Sequence, residues 1–319
     1  MYFPKPNIVV SSCLELAACR YNGQMIRDEI VRSIQPFVNF IPICPEVEIG
    51  LGIPREPVRL VRSLAGFNMI QPASGRDLTV EMQAFSQRFL GQLKNVDGFI
   101  LKSRSPSCGI RDTKLYPRVE KSPMLGKGAG LFAAAVVQSF PYLPCEDEGR
   151  LTNAALREHY LTAVFTLARF RNNCTFAGNQ QGLVDFQADH KLLFMTYNQT
   201  VMRQLGRIVA NQAKQPFLKV LNEYTLLLPK IFRKLPRSVA HINTQMHAFG
   251  YFSKQLTGAE KAYFLELLQK YRQGIITATV VNHLIKSWIV RFGQPYLERQ
   301  QYFEPFPEGL TTLPDSGKK

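Results

Sequence analysis

The sequence predicts an α/β protein: an N-terminal open parallel-sheet (Rossmann-like) domain followed by an all-α C-terminal domain. Three observations lead there. Short apolar runs alternate with helical patterns through the first half. The second half reads as helix after helix. Between them lies 141–149 (PYLPCEDEG), a Pro- and acid-rich stretch that reads as a linker. The boundaries drawn are 1–145 for the α/β domain, 146–189 for a linker and helical connection, 190–305 for the helical domain and 306–319 for a tail.

Taken in order, residues 7–12 (NIVVSS) form an apolar strand ending in a small polar turn. A helical segment follows at about 24–35, and 39–43 (NFIPI) is a second strand. Over 79–95, Met82, Phe85, Phe89 and Leu93 fall on one helical face. Residues 96–102 (VDGFILK) give a third strand, and 128–137 opens another helix. Beyond the break, 191–212, 217–230, 238–253, 258–273 and 278–292 all carry apolar residues three and four apart.

Composition narrows the function classes. Hydrophobic residues make up 45% and charged residues 20%, the proportions of a folded globular chain. No run of eighteen apolar residues occurs and the first residues lack a signal-peptide pattern, so a cytoplasmic location and no membrane partner are expected. The net charge of +15 is uneven. Residues 1–150 hold 18 Lys and Arg against 14 Asp and Glu; residues 151–319 hold 21 against 10, and all five histidines. Chemistry in the first half must therefore proceed without imidazole, while the second half is basic enough to attract polyanions.

The cysteines are the most informative residues. Cys13, Cys44 and Cys108 each follow one of the three predicted strands, in segments rich in Ser, Pro and Gly. In an open parallel sheet the carboxyl ends of the strands share one edge, where ligands bind. Three thiols delivered to that edge suit a soft metal centre, zinc or an iron–sulfur cluster. Any one of them alone reads equally well as an ordinary buried thiol. Cys19 reads as a packing thiol, and Cys145 and Cys174 as incidental.

The motifs carry a resemblance. Residues 11–23 (SSCLELAACRYNG) are similar to the SxCLxGxxCRYxG opening of the 2-thiouracil desulfidase (TudS-like) family. Residues 44–57 (CPEVEIGLGIPREP) resemble its CPExxxGLxxPRxP segment, and 105–109 (SPSCG) its SPSCG segment. The resemblance covers about residues 5–145. It departs where PRxPAE is usual and residues 54–60 read PREPVRL, with Arg59 near an acidic position, and at Glu15-Leu16, where Leu-Gly is usual. Residues 190–305 resemble the YbgA-like helical domain, chiefly through 282–297 (NHLIKSWIVRFGQPYL).

The first resemblance implies a 4Fe-4S cluster on three protein ligands, Cys13, Cys44 and Cys108, with one iron left open. It also implies removal of sulfur from a thiolated pyrimidine without net redox change, with Glu46 as acid/base and Ser105 as catalytic serine. A carboxylate in that role agrees with the missing imidazole. Glu46 reads alternatively as an ion-pair partner of Arg55, and Ser105 as a turn cap. Glu48 and Glu56 are weaker carboxylate candidates, and Arg55 or Arg104 would bind an anionic substrate form. Residues 126–130 (GKGAG) read as close packing beside the cluster, less readily as an anion loop. Arg157, His159, Tyr160, Arg169 and Arg171 form a polar face or a phosphate-contact stripe. The helical half gates access, oligomerises or binds a nucleic acid such as tRNA. There, Phe232 among Lys230, Arg233, Lys234 and Arg237 would stack on a base, or else pack into the core with Leu235. The competing function class is a non-catalytic, metal- or cluster-containing RNA-binding or regulatory protein.

Overall fold

The computed structural model describes residues 2–64, 66–176 and 178–311; of the tail drawn at 306–319, residues 312–319 lie outside the described residues. The chain divides into two compact units, one running to Ala168 and taking in the stretch from Pro307, the other Arg169–Phe306.

In order, the first unit contains β1 (Asn7–Ser11), α1 (Glu29–Ile34), β2 (Asn39–Ile43), α2 (Pro45–Glu48), β3 (Arg59–Ser63), β4 (Gly66–Gln71), β5 (Arg76–Asp77) and α3 (Thr79–Gln92). It continues with β6 (Gly98–Leu101), β7 (Thr113–Tyr116), β8 (Gly126–Gly128), α4 (Leu131–Ser139), β9 (Cys145–Asp147), α5 (Glu148–Leu151) and all but the last two residues of α6 (Ala154–Phe170). Four strands form a parallel sheet in the order β2-β1-β6-β9. Val9 faces Ile41 on one side and Phe99 on the other. The outer strand β2 carries Pro42, whose missing N–H is tolerated at a sheet edge.

Alternation along β1 and β6 explains their apolar runs. Val9, Phe99 and Leu101 join a core with Met82 and Phe85 of α3 and Phe132 and Val136 of α4. Ile8, Val10 and Ile100, pointing the other way, are equally buried. At Gly98 a Cβ would fall 2.7 Å from Val164 and 3.0 Å from the Pro144 carbonyl, so β6 approaches α6 through a missing side chain.

The structure adds a second sheet that the sequence pattern does not reveal, mixed and ordered β5-β4-β3-β7-β8. It also corrects the linker. Residues 145–147 pair in parallel with β6, Cys145 opposite Phe99, so the Pro- and acid-rich stretch delivers a fourth strand to the sheet. Three residues with two charges carry too little pattern to read as a strand; only the neighbour β6 makes them one.

The second unit contains α7 (Gln180–Asp189), α8 (Lys191–Tyr197), α9 (Gln199–Ala210), α10 (Phe217–Leu227), α11 (Ser238–Gly250), α12 (Gly258–Arg272), α13 (Ala278–Phe292) and α14 (Pro295–Glu298). The helix expected over 191–212 is two helices. Asn198 is extended and its side chain accepts from the Val201 N–H, capping α9 and ending α8. No helix among the described residues is long and apolar enough to cross a membrane.

Candidate active site

Strand order decides where a site forms. β1 lies between β2 and β6, so the chain leaves β1 to one side and returns on the other. Ligands bind outside the carboxyl ends of the strands at such a reversal. Cys13 follows β1 by one intervening residue, Cys44 follows β2 directly, and Cys108 lies in the loop after β6. All three line one cavity of about 370 Å³, together with Cys19, Glu46, Arg55, Lys102, Ser105 and Ser107.

Local structure fixes each side chain. Cys44 has the extended backbone of a helix-capping position, and Pro45 at the first helical position turns the chain into α2. Glu46 is thereby carried into the interior, where it is 8% exposed. After β6, the Ser105 hydroxyl accepts the Cys108 N–H at 3.1 Å and the Ser107 N–H at 3.3 Å, closing a tight turn. The carbonyls of that loop also cap α4: Pro106 accepts from Leu131 N at 3.1 Å and Ser107 from Ala133 N at 3.0 Å. The first amides of α4 are thus used internally. Gly130 packs against this loop, a Cβ there falling 2.5 Å from the Ser107 carbonyl oxygen. Within 126–130, Gly130 therefore serves close packing, and its own N–H donates to the Gly109 carbonyl.

Glu46 forms the ion pair with Arg55 that the sequence offered as one reading, and a second bond besides. Its Oε2 accepts from Arg55 Nε at 2.9 Å and pairs with Nη2 at 2.8 Å, both side chains being almost fully buried. Its Oε1 accepts from Ser107 Oγ at 2.8 Å, and Ser107 Oγ lies 2.9 Å from Ser105 Oγ. Arg55 also donates to the Cys19 carbonyl at 2.9 Å and lies 3.8 Å from Cys44 Sγ. Ser107 is a residue that motif reading passed over. Its signal was its place in SPSCG, two residues from Ser105, but sequence gives no means of choosing between two serines in one turn.

Cys19 is likewise more than a packing thiol. It is buried on the cavity wall, and its backbone carbonyl accepts from the Cys44 thiol at 3.7 Å. The Cys13 thiol beside it raises the pKa of Cys19. Cys19, and then burial, pushes the Cys44 thiol well above its ordinary range. Burial pushes the Cys108 thiol up to about 12. Such thiols keep their protons near neutral pH unless a cation replaces them.

The remaining candidates fall elsewhere. Glu48 and Glu56 are exposed and do not line the cavity. Arg104 stands at its rim, largely exposed. Arg59 stacks on the Tyr116 ring at 4.8 Å. Cys145 pairs within β9, and Cys174 donates to the Gly182 carbonyl. Arg157, Tyr160 and Arg169 are buried and His159 and Arg171 half-buried, so the five do not form one exposed phosphate-contact stripe. In the second unit Phe232 is buried against Phe194 and Tyr197, so it offers no stacking face for a base. Leu235, expected in the core, is exposed. Arg233, Lys234 and Arg237 are solvent-exposed.

Residues 8–148 match the family described as 2-thiouracil desulfurase. Over 109 residues the chain is 37% identical to the uncharacterized protein YbbK of Bacillus subtilis (strain 168), covering 32% of this chain and 72% of that one. The chain belongs to the 2-thiouracil desulfurase family. Residues 191–307 match a second family, described as a protein of unknown function (DUF1722). The uncharacterized protein YbgA of Escherichia coli (strain K12) is 27% identical over 126 residues, 39% of this chain and 75% of that one. Among solved structures, a 4Fe-4S-dependent thiouracil desulfidase, TudS, aligns over 46% of this chain and 93% of its own at 26% identity and a TM-score of 0.37. The family match lies within the first unit and contains the four cavity cysteines and Glu46.

Proposed function

We propose that the first unit holds a 4Fe-4S cluster through Cys13, Cys44 and Cys108 and hydrolyses the C–S bond of a thiolated pyrimidine, releasing the oxo-base and sulfide. The observation that carries this reading is a buried carboxylate, Glu46, in the cavity that three strand-end thiols line, joined to Ser105 through Ser107. The donor chemistry fits the cluster: buried sulfur ligands select soft metals and iron–sulfur centres. No three His, Cys, Asp or Glu side chains among the described residues are grouped around a single metal ion; cubane thiolates each bind a different iron and need not share one.

Bound through three thiolates, the cluster supplies an iron without a protein ligand, a soft Lewis acid for a thiocarbonyl sulfur. The protein's own groups handle water and protons. Arg55 occupies Glu46 Oε2, leaving Oε1 as the basic atom. Ser107 donates to Oε1, so its oxygen is free to accept the Ser105 hydroxyl proton. The 3.3 Å contact from Ser107 N is the weakest on Ser105 Oγ, and that is where a water would bind. Such a water, adding to the thioamide carbon, passes a proton through Ser105 and Ser107 to Glu46, and the chain returns it to the departing sulfur. The balance is thiocarbonyl plus water giving carbonyl plus hydrogen sulfide, with no electrons exchanged.

The test is anaerobic reconstitution followed by iron and acid-labile sulfide analysis and turnover of 2-thiouracil to uracil. Glu46→Gln retains iron and sulfide while turnover falls by about 10²–10⁴-fold. Zinc without labile sulfide, or a loaded protein inert toward every thiopyrimidine, overturns the proposal.

A further inference from the structure

A second polar group borders the same cavity and plays no part in the reaction derived above. Lys102 follows β6 directly, and its backbone N–H donates to Ser11 Oγ at 2.9 Å. Its ammonium donates to Glu148 Oε1 and, at 2.8 Å, to Ser103 Oγ. Glu148 is buried at the start of α5 and takes two further bonds, from Ser103 N at 2.9 Å and Ser103 Oγ at 2.6 Å. Strand β9, laid beside β6, is what brings Glu148 there. Lys102 and Ser103 line the cavity, and the Lys102 side chain retains 20% exposure.

An ammonium has three N–H donors. Two are committed to Glu148 and Ser103, which fix a long side chain that would otherwise be mobile. The third remains for whatever occupies the cavity. A thiopyrimidine offers a suitable acceptor, the ring carbonyl oxygen that shares the conjugated system with the thioamide. Addition of water at the carbon bearing sulfur puts the developing charge on sulfur, so a fixed donor on the ring carbonyl acts by binding the ring and orienting the reacting carbon.

Building on the desulfidase reading, we propose that Lys102, positioned by Glu148 and Ser103, is the substrate-recognition donor and binds the ring carbonyl of cyclic thioamides. Glu148 acts through Lys102 as a positioning residue. The substrate class is thereby narrowed to heterocycles that pair a thiocarbonyl with a ring carbonyl, in preference to simple thioamides.

The probe is uracil, which carries the carbonyl acceptors and no sulfur. Calorimetric titration into cluster-loaded wild type is compared with Lys102→Met, Lys102→Arg and Glu148→Gln, each checked for iron content and for its melting profile. Lys102→Met weakens uracil binding about 10- to 100-fold, the range of a lost hydrogen bond to a charged group. Lys102→Arg, which keeps a cation and a donor, restores part of that loss. Glu148→Gln raises KM for 2-thiouracil more than it lowers kcat, and Lys102→Met reduces the kcat/KM preference for 2-thiouracil over thioacetamide. If wild type releases sulfide from 2-thiouracil and binds uracil, and a folded, loaded Lys102→Met variant binds uracil as tightly as wild type, this inference falls alone. If loaded wild type does neither, the desulfidase reading falls with it.

Discussion

Arg55 and Glu46 form an ion pair with 5% and 10% of their side chains exposed, so their solvation has been given up almost entirely. The pair survives because each charge is also hydrogen-bonded elsewhere. Arg55 reaches the Cys19 and Gly52 carbonyls at 2.9 and 3.2 Å, and Glu46 accepts from Ser107 at 2.8 Å. Arg55→Met removes the guanidinium and leaves a buried carboxylate with one neutral donor. Loss of one partner of a buried pair costs about 3–5 kcal/mol, most of it the penalty of the stranded charge. Glu46→Met costs a similar amount by stranding the guanidinium. Arg55→Met combined with Glu46→Met strands neither, and is expected to return to within about 2 kcal/mol of wild type. Amide exchange of Val9 and Ile100 on β1 and β6, followed at rising urea, reports the opening energy of the first unit without interference from the second. Single variants within about 1 kcal/mol of wild type, or a double variant whose loss equals the sum of the two, would refute the reasoning.

Gly130→Ala places a Cβ 2.5 Å from the Ser107 carbonyl oxygen and 2.7 Å from that of Pro106, both backbone atoms that cannot rotate away. The loop carrying Ser105, Ser107 and Cys108 must shift, so stability falls by about 1–3 kcal/mol and iron content after reconstitution drops; thermal melting and iron analysis check both. In the second unit, burial depresses the pKa of His241 from 6.5 to about 4, and burial also holds that of His190 well below its ordinary value. Between those values the unfolded chain takes up protons the folded unit refuses, so stability is complete above about pH 6.5 and declines as pH falls toward 4. The His241 share is about 2–3 kcal/mol. Urea midpoints read from Trp288 fluorescence at pH 7 and 4.5 will show the loss, and His241→Phe will reduce it.

The fold class, four of the five long helical segments of the second half and the attachment of Cys13, Cys44 and Cys108 to strand ends were legible in the sequence alone. These rest on local periodicity and on turn residues next to apolar runs, which act over a few positions and survive without knowledge of the fold. Phe85 and Met82 likewise announced a buried helical face, and both lie in the core. Which groups meet in the cavity depends on tertiary packing. Ser105 and Ser107 are the same residue two positions apart, and the path of the turn selects Ser107 as the donor to Glu46. Cys19 reads as any small apolar side chain until the loop after β1 folds it onto the cavity wall beside Cys44. Glu148 reaches Lys102 across forty-six positions because β9, too short and too charged to show a strand pattern, pairs with β6. The mixed sheet escaped for the same reason: β5 is two residues long, and β3 pairs with β7 across more than fifty positions. Pairing partners and side-chain convergence are long-range properties, fixed by which surfaces are buried together, and no local window contains them.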